Sequence, residues 1–135
     1  MNNEFTSSWW SIELPLGWSA EREESCTNIW SEDGVGALQI SAYQRDGEPV
    51  SDEDLYDFAE REYPEGVRVL NENCGQFSGL NVSFLVENSY WRKWWLRNGS
   101  LFLFVTYNCN VEEQGLERSA VDQMLATLKP KAPAS

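Results

Sequence analysis

"WRKWWLRNGSLFLFVTYN", residues 91–108, sets two β-rich runs on either side of a single Asn-Gly pair. Asn98-Gly99 signals a hairpin, because a two-residue type I′ loop needs positive φ at both central positions and these residues tolerate it at the least cost. With that pair as the loop, Arg97 faces Ser100, Leu96 faces Leu101, Trp95 faces Phe102 and Trp94 faces Leu103. Side chains alternate along a strand, so one face collects Trp91, Lys93, Trp95, Arg97, Phe102, Phe104 and Thr106. The other collects Tyr90, Arg92, Trp94, Leu96, Leu101, Leu103, Val105 and Tyr107. Both sets are mostly apolar, which predicts an interior strand at "LFLFV" covered on both sides, by a helix on each face or by helices on one and a folded-over edge on the other. The tryptophans of "YWRKWW" (90–95) are divided between the faces and form no single patch. Arg92 and Lys93 point to opposite sides, with their stems over neighbouring indoles and their charged heads in water.

Moving outward, "WWSIEL" (9–14) reads as a strand, "PLGW" as a turn, and Trp18 as the start of a second strand. "CTNIWSE", a turn at Asp33-Gly34, and the alternating "GALQISAY" (36–43) complete four antiparallel strands in a meander. Ser51 then stands as an N-cap with Asp54 at the capping-box position and Asp52 and Glu53 in the first turn, which predicts a helix over 52–63 ended by Pro64. Leu55, Phe58, Ala59 and Glu62 form its inward stripe. "GVRVLNENCG" and "GQFSGLNVSFLVENS" supply two strands joined near Cys74-Gly75. After the hairpin, Leu116, Ala120, Val121, Met124, Leu125 and Leu128 recur at helical spacing within 111–128. The expected order is ββββ-α-ββββ-α, an α+β domain filling 1–135, with 1–8 and 130–135 as frayed termini.

The chain has 135 residues, 41% hydrophobic and 13% aromatic, enough to bury a core without disulfide or metal support. Cys26, Cys74 and Cys109 are an odd set with no paired spacing, and with no histidine in the chain no zinc site can be completed. They read as reduced, buried thiols, and the absence of a basic-then-apolar leader or a long apolar run sets the cytoplasm as the expected compartment. A net charge of -12 has the wrong sign for phosphate backbones, so nucleic acid is excluded as a partner, and no membrane contact is expected. The acids concentrate at Asp46, Glu48, Asp52, Glu53, Asp54, Asp57, Glu60, Glu62 and Glu65, against Arg45 and Arg61 in the same segment. A charged partner would be a basic protein.

The lack of histidine also removes Ser-His and Cys-His nucleophilic pairs and the commonest general base, so no catalytic residue is assigned. Gly34-Val35-Gly36 lacks the third glycine and leads into a strand, so it is a turn and not a phosphate cradle. "DEDLYD" has no central glycine for a calcium loop. No cofactor or metal is expected. The candidate partner-binding residues are the helix acids Asp52, Glu53, Asp57 and Glu60, and the aromatics Trp9, Trp10, Trp18, Trp91 and Trp95. The alternative is a small-molecule site or an unrecognised enzyme pocket between the sheet and the aromatic N-terminal strands.

Five stretches carry a resemblance: "IELPLGW" (12–18), "GALQISAY" (36–43), "GQFSGLNVSF" (75–84), "WWLRNGSLFLFVTYN" (94–108) and "VDQMLATLKP" (121–130). In this pattern, with L-P-x-G-W its most recognisable piece, the chain resembles the Mog1/PsbP-like superfamily over nearly its whole length, and within it an uncharacterised bacterial branch. The resemblance implies an α/β/α sandwich around an antiparallel sheet. Its better-known members bind other proteins without catalysis: PsbP-like proteins are extrinsic photosystem II subunits of the thylakoid lumen, and Mog1 proteins bind the Ran GTPase. It implies a binding or accessory role, and the nine acids against two arginines in residues 45–65 point to one form of it, an immunity-type protein that blocks a basic toxin. No functional residue carries over, and the start of the chain departs from lumenal and lipoprotein relatives in lacking a transit peptide, a signal and a lipid-attachment cysteine.

Overall fold

A computed structural model describes residues 3–131. The strands are β1 (Asn3–Thr6), β2 (Trp10–Leu14), β3 (Trp18–Arg22), β4 (Thr27–Ser31), β5 (Gly36–Gln44), β6 (Leu70–Cys74), β7 (Phe77–Val86), β8 (Ser89–Asn98), β9 (Leu101–Asn110) and β10 (Lys129–Pro130). Helix α1 (Asp52–Ala59) falls between β5 and β6, and α2 (Arg118–Leu125) between β9 and β10. An antiparallel sheet of order β3-β4-β5-β9-β8-β7-β6 is the central layer, and a second sheet, β1-β2-β10, lies apart from it. Five strands therefore precede α1, four follow it, and a short strand follows α2.

The hairpin expected at 91–108 is formed by β8 and β9, with a different loop. Asn98 pairs with Leu101, Arg97 with Phe102 and Trp95 with Phe104, so Gly99-Ser100 makes the turn. Gly99 has φ 59 and Asn98 stays extended, the pattern of a type II′ turn with glycine first. Tertiary contacts hold this choice. Asn98 donates its side-chain amide to the Gln76 carbonyl (2.7 Å), and the Gly99 and Ser100 carbonyls accept from the Val50 and Arg45 amides (2.9 Å each). Moving the loop by one position moves each partner by two, so the division of side chains between faces survives.

Each face has its own core. Trp94, Leu96, Leu101, Leu103, Val105 and Tyr107 pack with Leu38 and Ile40 of β5, with Trp10, Ile12 and Leu14 of the small sheet, and with Val121, Met124 and Leu125 of α2. On the opposite face Trp95, Leu80 and Val82 meet Leu55 and Ala59 of α1 and the preceding Val50. The two helices lie on opposite sides of the large sheet, which explains why "LFLFV" is apolar on both faces.

Several expectations are corrected. The meander contains β3, β4 and β5 only. Gly17 (φ 88) turns the chain after Pro15, and β2 leaves for the other layer, where it pairs with β1 and β10 and sends Trp10, Ile12 and Leu14 into the core. Residues 3–6 and 129–130 are paired strands and not frayed ends, and the Lys131 amide donates to the Trp9 carbonyl (2.8 Å). The remaining expected frayed positions, 1–2 and 132–135, lie outside the described residues. Helix α1 ends at Ala59 because Glu60 is extended and Arg61 has φ 68, a bend that delivers Tyr63 to Trp95, with ring centres 6.1 Å apart. The C-terminal helix begins only at Arg118. Gly115 (φ 92) breaks the register after a 3-10 turn at Val111–Glu113, and Leu116 is left exposed.

Candidate functional site

A concave feature with both aromatic and charged lining sits where α1 stops short of β5. Cross-strand pairing on the α1 side of the sheet puts Tyr43 (β5) beside Phe102 (β9), and Phe102 beside Arg97 (β8). Helix α1 covers β7 and β8. It sends Phe58 toward Phe102, with ring centres 4.6 Å apart, and leaves Tyr43 67% exposed. The result is a groove of about 720 Å³ lined by Tyr43, Gln44, Arg45, Asp46, Glu48, Phe58 and Phe102. Beyond it the same sheet face needs no cover, because its side chains form a polar ladder in which Gln39 donates to Asn28 (2.8 Å) and Asn28 to Glu23 (2.5 Å).

The groove wall is built by the start of α1. Ser51 caps the helix by accepting from the Asp54 amide (3.1 Å), and the Asp54 carboxylate accepts in return from the Ser51 amide (2.9 Å). Arg45 donates to that same carboxylate oxygen at 2.7 Å. The Ser51 amide, then Arg45, hold the Asp54 carboxyl down at about 2. Arg45 is thereby neutralised. Arg97 is likewise held by Asp52 (2.5 Å) and Lys93 by Glu62 (3.7 Å), whereas Asp46, Glu48, Glu53, Asp57 and Glu60 make no ion pair among the described residues. Beside the open rings the unpaired acids are Asp46 and Glu48, while Arg61, at the end of α1, is exposed and also without an ion pair among the described residues.

The anticipated residues are distributed unevenly. Asp52, Glu53, Asp57 and Glu60 are all exposed on α1 or at its end. Trp10 and Trp95, each 1% exposed, are core residues and are withdrawn as partner-binding candidates, Trp10 by the second sheet and Trp95 by α1. Trp9 is exposed, Trp18 packs at the margin of the larger core, and Trp91 is half-buried with the Lys93 ammonium 5.6 Å from its ring centre. These three do not line the groove beside Phe58. The cleft at Trp9 and Trp10 holds only about 140 Å³. Sequence reading missed Tyr43, Phe58 and Phe102 as a site. Tyr43 and Phe102 become neighbours only through the β5–β9 pairing, which no local pattern announces.

Two other polar clusters are structural. The Arg92 head, expected in water, is buried against Trp94, 4.5 Å from its ring centre, and donates to Asp122 at 2.8 Å. Glu117 fills the Gly34-Val35-Gly36 turn with its own carboxylate, accepting from the Gly36 amide (3.1 Å), the Val35 amide (3.4 Å) and the Tyr107 hydroxyl (2.7 Å). Burial, then that bond, pushes the Tyr107 phenol far above its usual range. The Val35 and Gly36 amides are thus satisfied within the chain. No group of ligating side chains suited to a metal occurs among the described residues, and no helix among them is long and apolar enough to cross a membrane.

No family model matches the chain, and no curated protein matches it. Solved structures do. A crystal structure of a Bacteroides thetaiotaomicron protein superposes with a TM-score of 0.67 at 19% identity, covering 96% of this chain and 48% of that one, so the chain spans about half the length of that protein. The solution structure of cyanobacterial PsbP (CyanoP) from Synechocystis superposes with a TM-score of 0.65 at 8% identity, covering 96% of this chain and 92% of that one. The chain has the Mog1/PsbP-like fold that the five stretches implied. At these identities the likeness concerns the fold alone.

Proposed function

We propose that this chain is a non-catalytic binding module that recognises a basic protein through the acidic face of α1 and the groove beside it. The carrying observation is that Asp46 and Glu48 remain unpaired beside the groove's aromatic rings and Glu53, Asp57 and Glu60 unpaired along α1, while the nearby Arg45, Arg97 and Lys93 are each already engaged by a carboxylate and only Arg61 of the cations in residues 45–65 stays without an ion pair among the described residues. Uncompensated charge of one sign accelerates encounter with a partner of the other, and aromatic rings supply the desolvated anchors that charge alone does not. The absence of histidine supports a non-catalytic reading, and three free cysteines support a reducing compartment such as the cytoplasm. An immunity-type role, neutralising a basic toxin, is the sharpest form of the proposal. The small-molecule alternative loses support beside the N-terminal tryptophans, because about 140 Å³ there is well below the ~300 Å³ of typical ligand pockets.

The test is retention of basic proteins from native lysate on the immobilised chain. Retention should fall steeply between low and physiological salt and should be lost in the triple variant Glu53→Lys, Asp57→Lys, Glu60→Lys. Retention that ignores both salt and the triple reversal would overturn the proposal.

A further inference from the structure

The groove differs from the rest of the acidic face in its chemistry. Its rings come from three separate elements: Tyr43 from β5, Phe102 from β9 and Phe58 from α1, with Phe58 and Phe102 4.6 Å apart between centres. Asp46 and Glu48 line it from the loop that follows β5, and neither has an ion-pair partner among the described residues. Arg45, the one cation in the lining, has its charge taken up by Asp54 at 2.7 Å and a further contact to the Pro49 carbonyl at 3.4 Å. A purely apolar occupant would leave two carboxylates beside it unmatched. A bare ammonium would match the charge but not the ring surface.

We infer that the groove is a receptor for one arginine side chain of the partner, its guanidinium laid on the Tyr43, Phe58 and Phe102 rings and directed at Asp46 and Glu48. A planar, weakly hydrated guanidinium can stack on an aromatic face and still present several N–H donors to carboxylates at its edge, which a lysine cannot do. This deepens the proposed function and rests on it: α1 attracts a basic partner, and the groove selects arginine within it.

The experiment titrates the isotope-labelled chain with three Gly/Ser peptides that are identical except for their basic positions, which hold arginine, lysine or citrulline, and follows the amide spectrum. The arginine peptide should bind roughly three- to tenfold more tightly than the lysine peptide and should shift the amides around Tyr43, Asp46 and Phe102. Tyr43→Ala, at a position exposed enough to leave the fold intact, should erase that preference, as should Asp46→Asn with Glu48→Gln. Equal binding of arginine and lysine peptides, with shifts confined to α1 and no effect of Tyr43→Ala, would overturn the arginine receptor and leave the acidic-face reading standing. Citrulline binding as well as arginine would also overturn it. If neither cationic peptide binds at low salt, and the immobilised chain retains no basic protein, both readings fall together.

Discussion

Arg92 on β8 lies 4.5 Å from the ring centre of Trp94 and donates from Nη2 to the Asp122 carboxylate of α2 at 2.8 Å, joining helix to sheet through a guanidinium that is itself buried. Removing one partner of such a pair leaves a charge in a poor solvent, whereas removing both need not. Asp122→Ala should therefore destabilise the fold by about 2 kcal/mol, less than for a fully buried pair because Asp122 is partly exposed. Adding Arg92→Met to that variant should recover most of the loss, since the thioether can cover the Trp94 face without a charge. Urea midpoints of the two variants check the order. A double variant no more stable than Asp122→Ala would show that the arginine matters for its contact with Trp94 and not for its pairing.

The capping arrangement at α1 predicts a specific acid limb. Asp54 has its carboxyl held at about 2 by the Ser51 amide and Arg45, below the value near 3.8 expected for the unfolded chain. A depressed carboxyl stabilises the folded state above the unfolded value, and that contribution fades as pH falls from about 4 through 2. Asp54→Asn should flatten the loss of stability in that window and lower stability at pH 7. Ser51→Ala should cost about 1 kcal/mol at pH 7 and also move the Asp54 titration upward, because the cap amide is less well held. Thermal melts across pH 2–7, with carboxyl titration followed by NMR, separate the two effects.

Gly75 and Gly99 both carry positive φ, 63 and 59, yet only one is crowded. A Cβ at Gly99 would meet nothing within 4 Å, whereas one at Gly75 would overlap the Leu128 backbone, 2.7 Å from its nitrogen. Gly99→Ala should cost about 1–2 kcal/mol, the backbone strain alone. Gly75→Ala should cost clearly more and should loosen the segment after α2, where the Gln76 amide donates to the Leu128 carbonyl (2.8 Å). Equal midpoints for the two variants would contradict the packing of the β6–β7 turn on that segment.

The fold was legible where a side chain's surroundings are set by its immediate neighbours. Parity along β8 and β9 separated Trp94 from Trp95 correctly even though the turn formed one residue later, because a two-residue change of partner preserves the face. Ser51 and Asp54 announced the start of α1 for the same reason, since a capping box is local. What failed needed distant information. "NEFT" and "KP" are too short and polar to read as strands, and they become strands only because β2 lies between them. Trp10 looked like a surface candidate because nothing near it in sequence reveals the second sheet that buries it. The groove stayed invisible because Tyr43, Phe58 and Phe102 come from three elements, and their meeting depends on α1 leaving the β5 end of the sheet uncovered.

The three thiols give a count that tests the packing of the larger core directly. Cys74 and Cys109 are buried in the larger core, and Cys26 is half-exposed in the β3–β4 turn. Burial, then the Glu72 carboxylate, pushes the Cys74 thiol up to about 12. Burial is also the main cause that raises Cys109, and burial with Glu23 raises Cys26. The thiolate is the reacting form, so a raised thiol is slow even when it can be reached, and a buried one reacts only when the structure opens. At pH 8 the native chain should release one equivalent of thionitrobenzoate from Ellman's reagent, and that phase should vanish in Cys26→Ser. In denaturant all three cysteines should react. The slow native phase from Cys74 and Cys109 should then follow global stability, accelerating in Asp122→Ala, which unpins α2 from the core holding both thiols. Any rapid equivalent remaining in native Cys26→Ser would mean that the α2 side of the sheet opens locally, and would contradict a single cooperative core there.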